Sequence, residues 1–370
     1  MALIRPIERR TFLKAAGAAF LSSLLPSVAE AVERTDLLFA SACDRPGGGS
    51  ACAVFDERGR ILFSLDLPDR GHDVTFDPHW GRAVVFARRP ATFALVFDAR
   101  SGRPETTIAA RPDRHFFGHG FFSPDGRLLY ATENDFDAAR GLIGIYEATD
   151  GFRRIGEYET HGMDPHEALL MPDGETIVVA NGGIETHPDF GRQKLNLSTM
   201  EPSLVFIGRR DGRLLSRHVL PASLHQLSIR HLALDVGGAV WFGCQYEGPE
   251  GDRPALAGRA RPGEALELVT WREESLVGFD NYVGSVAASR DGARIAFASP
   301  RGNRVLVLDA ASGQEVASMP LAEGCGLAPD ASAGGFLATG SGGAVAHWPE
   351  TARPQSHADV VWDNHILAFG

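Results

Sequence analysis

Four short apolar runs joined by glycine turns recur along this chain, and the repeat limits the fold more than any other feature. The clearest copy has runs at 285–288, 295–298, 305–308 and 316–319, with turns at Asp291-Gly292 and Ser312-Gly313. The two turn glycines are 21 residues apart in this copy and in the first, 25 apart in the second and 38 in the third. Short apolar runs separated by Gly turns predict antiparallel hairpins. The unit is therefore a four-stranded meander of about 45 residues whose second-to-third loop accepts insertions.

Self-similar four-stranded units of this length predict an all-β chain folded as a single β-propeller. Six copies lie between residues 72 and 350, with three strands before them (35–42, 51–55 and 61–65) and one after them (358–362). Joining the last strand to the first three completes a seventh blade and leaves no free sheet edge. We therefore predict seven four-stranded blades over residues 32–370. Six or eight blades stay open as alternatives, because the fourth and sixth copies are irregular.

The N-terminal segment has the pattern of an export signal. Arg9-Arg10-Thr11-Phe12-Leu13-Lys14 fits the twin-arginine motif, a weakly apolar stretch follows at 15–25, and an A-x-A cleavage site ends it at Ala29-Glu30-Ala31. The apolar stretch is too short to cross a bilayer. We expect residues 1–31 to be a twin-arginine signal peptide and the remaining chain to be periplasmic, with no membrane span once the signal is removed.

Charge narrows the classes of partner. The whole chain has a net charge of −11, and residues 32–370 hold 32 basic and 45 acidic side chains, a net charge of −13. This balance argues against nucleic acid and anionic membranes as partners and mildly favours cations. The four cysteines lack a C-x-x-C motif. Cys43 and Cys52 flank a hairpin loop and could form a disulfide, and four buried thiols are the alternative.

The propeller geometry predicts which polar residues share a face. The start of each innermost strand and the loop between the second and third strands lie at the same end of the channel. Histidines recur at the strand starts, and carboxylates occur in the loops, a donor set that suits a divalent or iron ion. We predict metal ligands at His119, His166, Glu167 and His231. The predicted ligand-binding face also comprises His72, Asp73, Arg88, His115, His119, Glu133, Asn134, Asp135, Asn181, Glu185, His187 and Arg230.

A structural role for these histidines is the competing interpretation, because channel side chains often satisfy the strand ends. Ser285, Cys325 and His357 are expected at the remaining strand starts. We assign His79, His218, His347 and His365 to turns or outer strands at the surface.

The loop at 181–203 is too polar for the core and too long for a plain hairpin. It contains Arg192 and Lys194, the only lysine after residue 31. We interpret it as a lid or a partner-docking loop anchored by Leu195, Leu197 and Met200, with a surface insertion as the alternative.

Motifs for covalent or nucleotide chemistry are missing from the sequence. His166-Glu167 begins like the zinc-protease pattern H-E-x-x-H, but Leu170 occupies the position of the second histidine. The chain also has no G-x-S-x-G elbow, phosphate-binding loop or dinucleotide fingerprint. The sequence therefore assigns no catalytic residue.

Several segments together resemble a bacterial periplasmic family, domain of unknown function 1513. They are Arg114 to Gly120 (RHFFGHG), Thr132 to Asp135 (TEND), Pro165 to Glu167 (PHE), Val179 to Ile184 (VANGGI) with Thr186 to Asp189 (THPD), Lys194 to Asn196 (KLN), Ser228 to Leu232 (SIRHL) and Trp362 to His365 (WDNH). The resemblance implies an exported propeller, often encoded beside imelysin-like iron proteins and di-haem peroxidase-like proteins. It thus implies a role in periplasmic iron acquisition or handling and supplies no reaction.

Two functions follow as hypotheses. The first is a non-catalytic binding or scaffold protein that holds iron or another metal, or docks the iron-uptake proteins that the resemblance implies as partners. The alternative is a metal-dependent enzyme, either a lactonase-like hydrolase or a redox protein acting on an iron chelate. The first is preferred, because the sequence offers ligands without a nucleophile or cofactor motif.

Overall fold

The computed structural model describes residues 37–89, 91–99, 101–349 and 354–369. The segment assigned to the export signal lies outside these residues. Within them, the structure contains no helix that is both long and apolar enough to span a membrane.

Seven antiparallel sheets make up the described chain. Blades 1 to 3 comprise β4 (Gly71–Asp77), β5 (Arg82–Ala87), β6 (Phe93–Asp98) and β7 (Pro104–Ala109); β8 (Arg114–Phe122), β9 (Leu128–Asp135), β10 (Arg140–Glu147) and β11 (Arg153–Glu159); β12 (Pro165–Leu170), β13 (Thr176–Asn181), β14 (Ser203–Gly208) and β15 (Leu214–Val219). Blades 4 to 6 comprise β16 (Leu227–Leu234), β17 (Val240–Tyr246), β18 (Ala257–Ala260) and β19 (Glu267–Val269); β20 (Ser285–Ala288), β21 (Arg294–Ser299), β22 (Arg304–Asp309) and β23 (Glu315–Pro320); β24 (Gly324–Pro329), β25 (Phe336–Gly340), β26 (Ala344–Trp348) and β27 (Gln355–Ser356). Blade 7 comprises β1 (Leu38–Asp44), β2 (Ser50–Asp56), β3 (Ile61–Leu67), β28 (Val361–Trp362) and β29 (Leu367–Phe369).

These sheets confirm the seven-bladed propeller and its closure by both ends of the chain. β28 and β29 both pair with β1 in an antiparallel ladder. Cys43 lies opposite Trp362, and Phe39 lies opposite Ala368. The closing strand is therefore interrupted, and it extends further than the predicted 358–362. The interruption at 363–366 lies at the channel, because β28 and β29 form the innermost edge of blade 7.

Turn chemistry explains why the strands end where they do. In blade 2 the Ser123 hydroxyl donates to Asp125 at 2.6 Å, and Gly126 has a φ of 68°. Ser289, Asp291 and Gly292 repeat the arrangement in blade 5, with the same 2.6 Å bond and a φ of 65°. A positive φ is accessible to glycine without a steric penalty. Blades 2 and 5 therefore contain the same hairpin turn, and the repeat in the sequence reflects this shared turn.

Apolar side chains fill the spaces between blades, as in the ring contact between Trp271 and Phe297, whose centroids are 5.2 Å apart. The cysteines belong to these cores: all four are free and buried. Residue 42 lies opposite Cys52 in the β1–β2 register, so Cys43 and Cys52 point to opposite faces of the sheet. This geometry excludes the disulfide and confirms the buried-thiol alternative.

Helix is scarce in the described residues. A single α-helix, α1 (Glu273–Gly278), follows blade 4, and three short 3-10 turns occupy Pro188–Phe190, Leu197–Thr199 and Ala222–Leu224. Blade 4 looked irregular in the sequence because its outer strands, β18 and β19, have only four and three residues. Such short strands give too few alternations for a pattern to be recognised.

Candidate functional site

Five histidines meet in the propeller channel at one end of the blades. His72, His119, His166 and His231 come from the innermost strands of blades 1 to 4, and His365 comes from the interruption between β28 and β29. Ring centroids of neighbours lie 4.6–5.2 Å apart in the pairs His72–His365, His119–His365, His166–His231 and His119–His166. We call these five side chains the histidine ring. Blades 5 and 6 place buried Ser285 and Cys325 at the equivalent positions.

Carboxylates lie behind three of these imidazoles, on the Nδ1 side. His72 Nδ1 is 3.1 Å from Asp363, His119 Nδ1 is 3.1 Å from Asp73, and His231 Nδ1 is 3.4 Å from Glu167. Glu167 also accepts a hydrogen bond from the Leu232 amide at 3.1 Å. A carboxylate bonded to Nδ1 fixes the ring orientation and leaves Nε2 as the free nitrogen, which is the usual support of a metal-binding histidine. His72 and His119 have this support, whereas His231 Nδ1 makes no hydrogen bond within the described residues.

The Nε2 atoms of His119, His166, His231 and His365 are buried and have no hydrogen-bond partner among the described residues. A buried polar atom without a partner costs about 1–3 kcal/mol, so such atoms are uncommon. Two groups of three have their ligand atoms within 4.8 Å of one another: His72, His119 and His166, and His119, His231 and His365. These groups could hold a metal ion, because imidazole nitrogens bind Zn, Cu, Fe and Ni.

Burial sets the charge of the ring. It lowers the pKa of His72 to about 4 and holds the pKa of His231 and His365 well below the ordinary value. His119 differs: burial opposes its charge, but Asp73 and the nearby carboxylates of Glu167 and Asp363 outweigh burial and raise its pKa. Burial also raises the pKa of Glu167 to about 7. Most of the ring is therefore neutral near pH 7, the form in which imidazole binds metal.

His166 differs from the other ring members in its hydrogen bonding. Arg230 donates to His166 Nδ1 at 3.1 Å, so the proton of neutral His166 is on Nε2. The same arginine lies 3.2 Å from Asp164, which is fully buried. A protonated Nε2 cannot bind a metal. The group His119, His231 and His365 is consequently the better metal site of the two.

The structure also shows where sequence analysis misplaced residues. His365 was assigned to the surface and is instead a buried ring member. His357 was expected at an innermost strand, but it follows the outer strand β27 and contacts the Arg58 carbonyl at 2.8 Å. The signal for His365 was too weak to find, because two- and three-residue strands flank it.

Other residues of the predicted ligand-binding face make their contacts inside the blades and not in the channel. Glu133 accepts hydrogen bonds from Tyr146 at 2.5 Å and Arg154 at 2.9 Å inside blade 2. Asp135 pairs with Arg114 at 3.0 Å and Arg140 at 2.7 Å. In blade 3, the Asn181 amide donates to Thr160 and Ser203.

A second group of predicted residues supports the loop at 181–203. The Asn134 amide contacts His115 Nε2 at 3.1 Å and donates to the Thr186 carbonyl at 3.2 Å. His187 contacts Asp137 of blade 2 at 3.2 Å, and Glu185 is bonded through its backbone to Asn196. Of the predicted anchors, Met200 is buried, Leu197 is half-buried and Leu195 is 39 % exposed. The loop is therefore tied to blade 2 and not held by Leu195.

The mouth of the channel is basic. A cavity of about 230 Å³ lies at the ring and beneath the 181–203 loop. Its described lining contains no carboxylate, although carboxylates were expected at this face. The lining comprises His72, Arg88, Arg89, Phe117, His166, Arg192, Lys194, Arg230, His231, Gln245, Tyr282, Arg301 and Asn364.

His115, which lies outside the histidine ring, gives a testable pH dependence of the free energy of unfolding. Its burial, together with the charge of Arg89, lowers its pKa from 6.5 to about 4. The unfolded chain therefore takes up a proton below pH 6.5 that the folded chain does not, and stability is lost as the pH falls toward 4. We expect wild type to lose about 2–3 kcal/mol more than His115→Gln between pH 7.5 and pH 4.5, measured by urea unfolding. Equal losses in the two proteins would contradict this assignment.

The fold and the ring define the class: a seven-bladed β-propeller with histidine clusters in its channel that could bind a metal. The chain belongs to the family described as "Protein of unknown function (DUF1513)", whose model matches residues 65–369. This match confirms the family resemblance seen in the sequence.

Comparisons with proteins outside the family show only that the fold is shared. No curated protein matches the chain. Among solved structures, the chain is similar to Kuenenia stuttgartiensis hydrazine synthase, with 14 % identity, a TM-score of 0.63, and coverage of 82 % of this chain and 90 % of that one. It is also similar to a chain of a nidogen/laminin complex, with 14 % identity, a TM-score of 0.50, and coverage of 77 % and 93 %. At this identity the similarity shows a common propeller architecture and no common activity.

Proposed function

We propose that this protein is an exported metal-binding β-propeller that holds a transition-metal ion at the histidine ring and takes part in periplasmic iron handling. One observation carries the proposal: five imidazoles converge, four of them have a buried Nε2 without a partner among the described residues, and Asp73 is bonded to Nδ1 of His119. The set His119, His231 and His365 would bind the ion, with Asp73 orienting the His119 ring and Glu167 lying 3.4 Å from His231 Nδ1.

A purely structural ring explains these contacts less well. Histidines that cap strand ends would bond backbone groups, as His115 does with the Phe116 carbonyl at 3.1 Å. The ring instead leaves four buried Nε2 atoms without partners in the described chain. Each costs free energy unless a ligand satisfies it.

The iron and periplasmic parts of the proposal come from the sequence. The twin-arginine pattern at Arg9-Arg10 supports export in the folded state, and the imelysin-like and di-haem peroxidase-like partners are those that the resemblance in the sequence implies. An all-imidazole site does not by itself select iron, because copper(II) binds nitrogen ligands more tightly than the other divalent first-row metals. The metal present in the cell must therefore be measured on the native protein.

The first experiment is elemental analysis of protein exported through its own N-terminus and purified without chelator. We expect about one equivalent of transition metal, iron on this proposal, and its loss in His119→Ala and His365→Ala. His166→Ala should retain most of the metal, because Arg230 occupies its Nδ1. His79→Ala, a surface histidine at a blade turn, is the matched control.

Metal titration of the apoprotein gives the second measurement. Loss of one ligand should weaken binding by 100-fold or more, by roughly 3 kcal/mol or above. A metal-free wild type that also fails to bind Fe(II), Zn(II) or Cu(II), while remaining folded, would refute the proposal. Retention of full affinity in His119→Ala would refute the assigned ligands.

The enzyme alternative keeps one supporting observation. Three imidazoles leave coordination positions open, as in catalytic metal sites, and one of the three, His231, lines the adjoining cavity. No serine, threonine or cysteine occurs among the described lining residues, so a hydroxyl nucleophile of the serine-hydrolase kind or a thiol nucleophile is not available there. A hydrolytic or redox activity that depends on metal and is lost in His365→Ala would favour the enzyme.

A further inference from the structure

Six cationic side chains line the mouth of the channel, in a chain whose net charge is −11. They come from four separate blades, since Arg88 and Arg89 belong to blade 1, Arg192 and Lys194 to the blade 3 loop, Arg230 to blade 4 and Arg301 to blade 5. Like charges held around one small cavity repel each other. Convergence of six such groups on one cavity is therefore unfavourable unless something offsets it.

Three of the six cations lie within ion-pair distance of carboxylates that do not line the cavity. Arg88 lies 3.2 Å from Asp363, Arg230 lies 3.2 Å from Asp164, and Lys194 pairs with Glu247. Asp363 and Asp164 are almost fully buried, and none of the three carboxylates belongs to the cavity lining. The pairs hold the three cations in place, and each pair uses only part of the hydrogen-bond donors of its cation.

The other three cations have no carboxylate partner within the described ranges. Arg89 donates to the Thr186 hydroxyl at 3.0 Å and lies over the Phe117 ring. Arg301 stacks on Tyr282, 4.4 Å from the ring centroid. Arg192 lies on the loop over the mouth. Neutral contacts position the guanidinium groups of Arg89 and Arg301, and with Arg192 about three positive charges have no carboxylate beside them.

We infer that the mouth is a binding site for a small oxyanion that carries two or three negative charges on carboxylate or phosphate groups. Guanidinium groups bind both kinds of group through paired, charge-assisted hydrogen bonds. The cavity of about 230 Å³ is smaller than the 300–1,000 Å³ typical of sites for drug-sized ligands. The ligand is therefore compact, of the size of a di- or tricarboxylate or of phosphate.

This inference does not depend on the proposed metal site, because it rests on charges above the ring. The two sites are nevertheless adjacent, since His72, His166 and His231 line the same cavity. An oxyanion held by the arginines would face the ring from the open side. If a metal is bound there, affinity for the anion should change, and the metal affinity must change by the same factor.

The test is calorimetric titration of the metal-free protein at low salt with citrate, inorganic phosphate and acetate as probes. We expect citrate or phosphate to bind and acetate to bind at least tenfold more weakly, because it carries one charge. Binding should weaken as salt is raised, since partly exposed charges are screened. Binding of citrate but not of phosphate would identify the ligand as a polycarboxylate. Binding of phosphate but not of citrate would identify it as a phosphate.

Variants decide whether the mouth is the site. Arg192→Gln and Arg301→Gln should each weaken binding about tenfold, the usual scale for one charge-assisted contact. Arg210→Gln is the matched control, because Arg210 is 76 % exposed at the opposite end of blade 3 and pairs with Glu175. Circular dichroism would confirm that each variant is folded.

Three outcomes would overturn the inference: no binding of citrate or phosphate, equal affinity for acetate, or affinities in Arg192→Gln and Arg301→Gln equal to that of the control. None of these depends on metal content, so failure here and failure of the proposed function are distinguishable.

Discussion

Replacing Trp362 with alanine should lower the free energy of unfolding by about 3–5 kcal/mol, the usual cost of deleting a large buried aromatic side chain. Trp362 is fully buried in β28, and its ring centroid lies 4.5 Å from that of Phe55. It lies opposite Cys43, at the point where the C-terminal strand joins the N-terminal strands. Because a propeller without this junction has open sheet edges, lost packing here also weakens ring closure.

Urea or guanidinium unfolding measures this effect. Trp80→Ala is the matched control, because Trp80 is 52 % exposed in a blade turn and should change stability little. Trp362→Phe should lie between wild type and Trp362→Ala. Removal of residues 358–370 should prevent formation of a stable monomer. A truncated chain that unfolds with the same midpoint as wild type would contradict this account of closure.

Asp363→Asn should destabilise the protein by about 3–5 kcal/mol, because it removes a buried charge and leaves its cationic partners unpaired. Asp363 is 2 % exposed and lies 2.7 Å from Arg70, 3.1 Å from His72 and 3.2 Å from Arg88. Although burial opposes its charge, His72 and the two arginines hold its pKa well below the usual range. Asparagine keeps the shape, so the change isolates the charge.

Chemical unfolding again provides the measurement, and Asp66→Asn is the control. Asp66 is 84 % exposed and pairs with Arg45 at 2.6 Å, so its loss should have no measurable effect. In Arg88→Gln the cost of Asp363→Asn should shrink, because one partner is already gone. Equal costs in both backgrounds would show that the pair is not coupled.

Local sequence patterns were sufficient to predict the blades. The Asp-Gly turns at Gly126 and Gly292 act within a few residues, so their spacing alone defined the hairpins. Seven blades closed by both termini followed from counting strands. The same periodicity placed His72, His119, His166 and His231 on innermost strands. His72 and His166 are the second residues of β4 and β12, whereas His119 and His231 lie in the middle of β8 and β16. Export, iron and protein partners remain predictions that the structure does not address.

The sequence determined the propeller, its closure and four of the five ring histidines, since each depends on a repeat that is visible within one blade. Only the tertiary structure decided the rest, because these features need contacts between distant blades. It brought His365 to His119 although 246 positions separate them. It also placed Glu133 and Asp135 in ion pairs within blade 2, and it placed arginines from four blades at the mouth of the channel. Charge pairing acts through space, so no local pattern could show which side chains face the cavity.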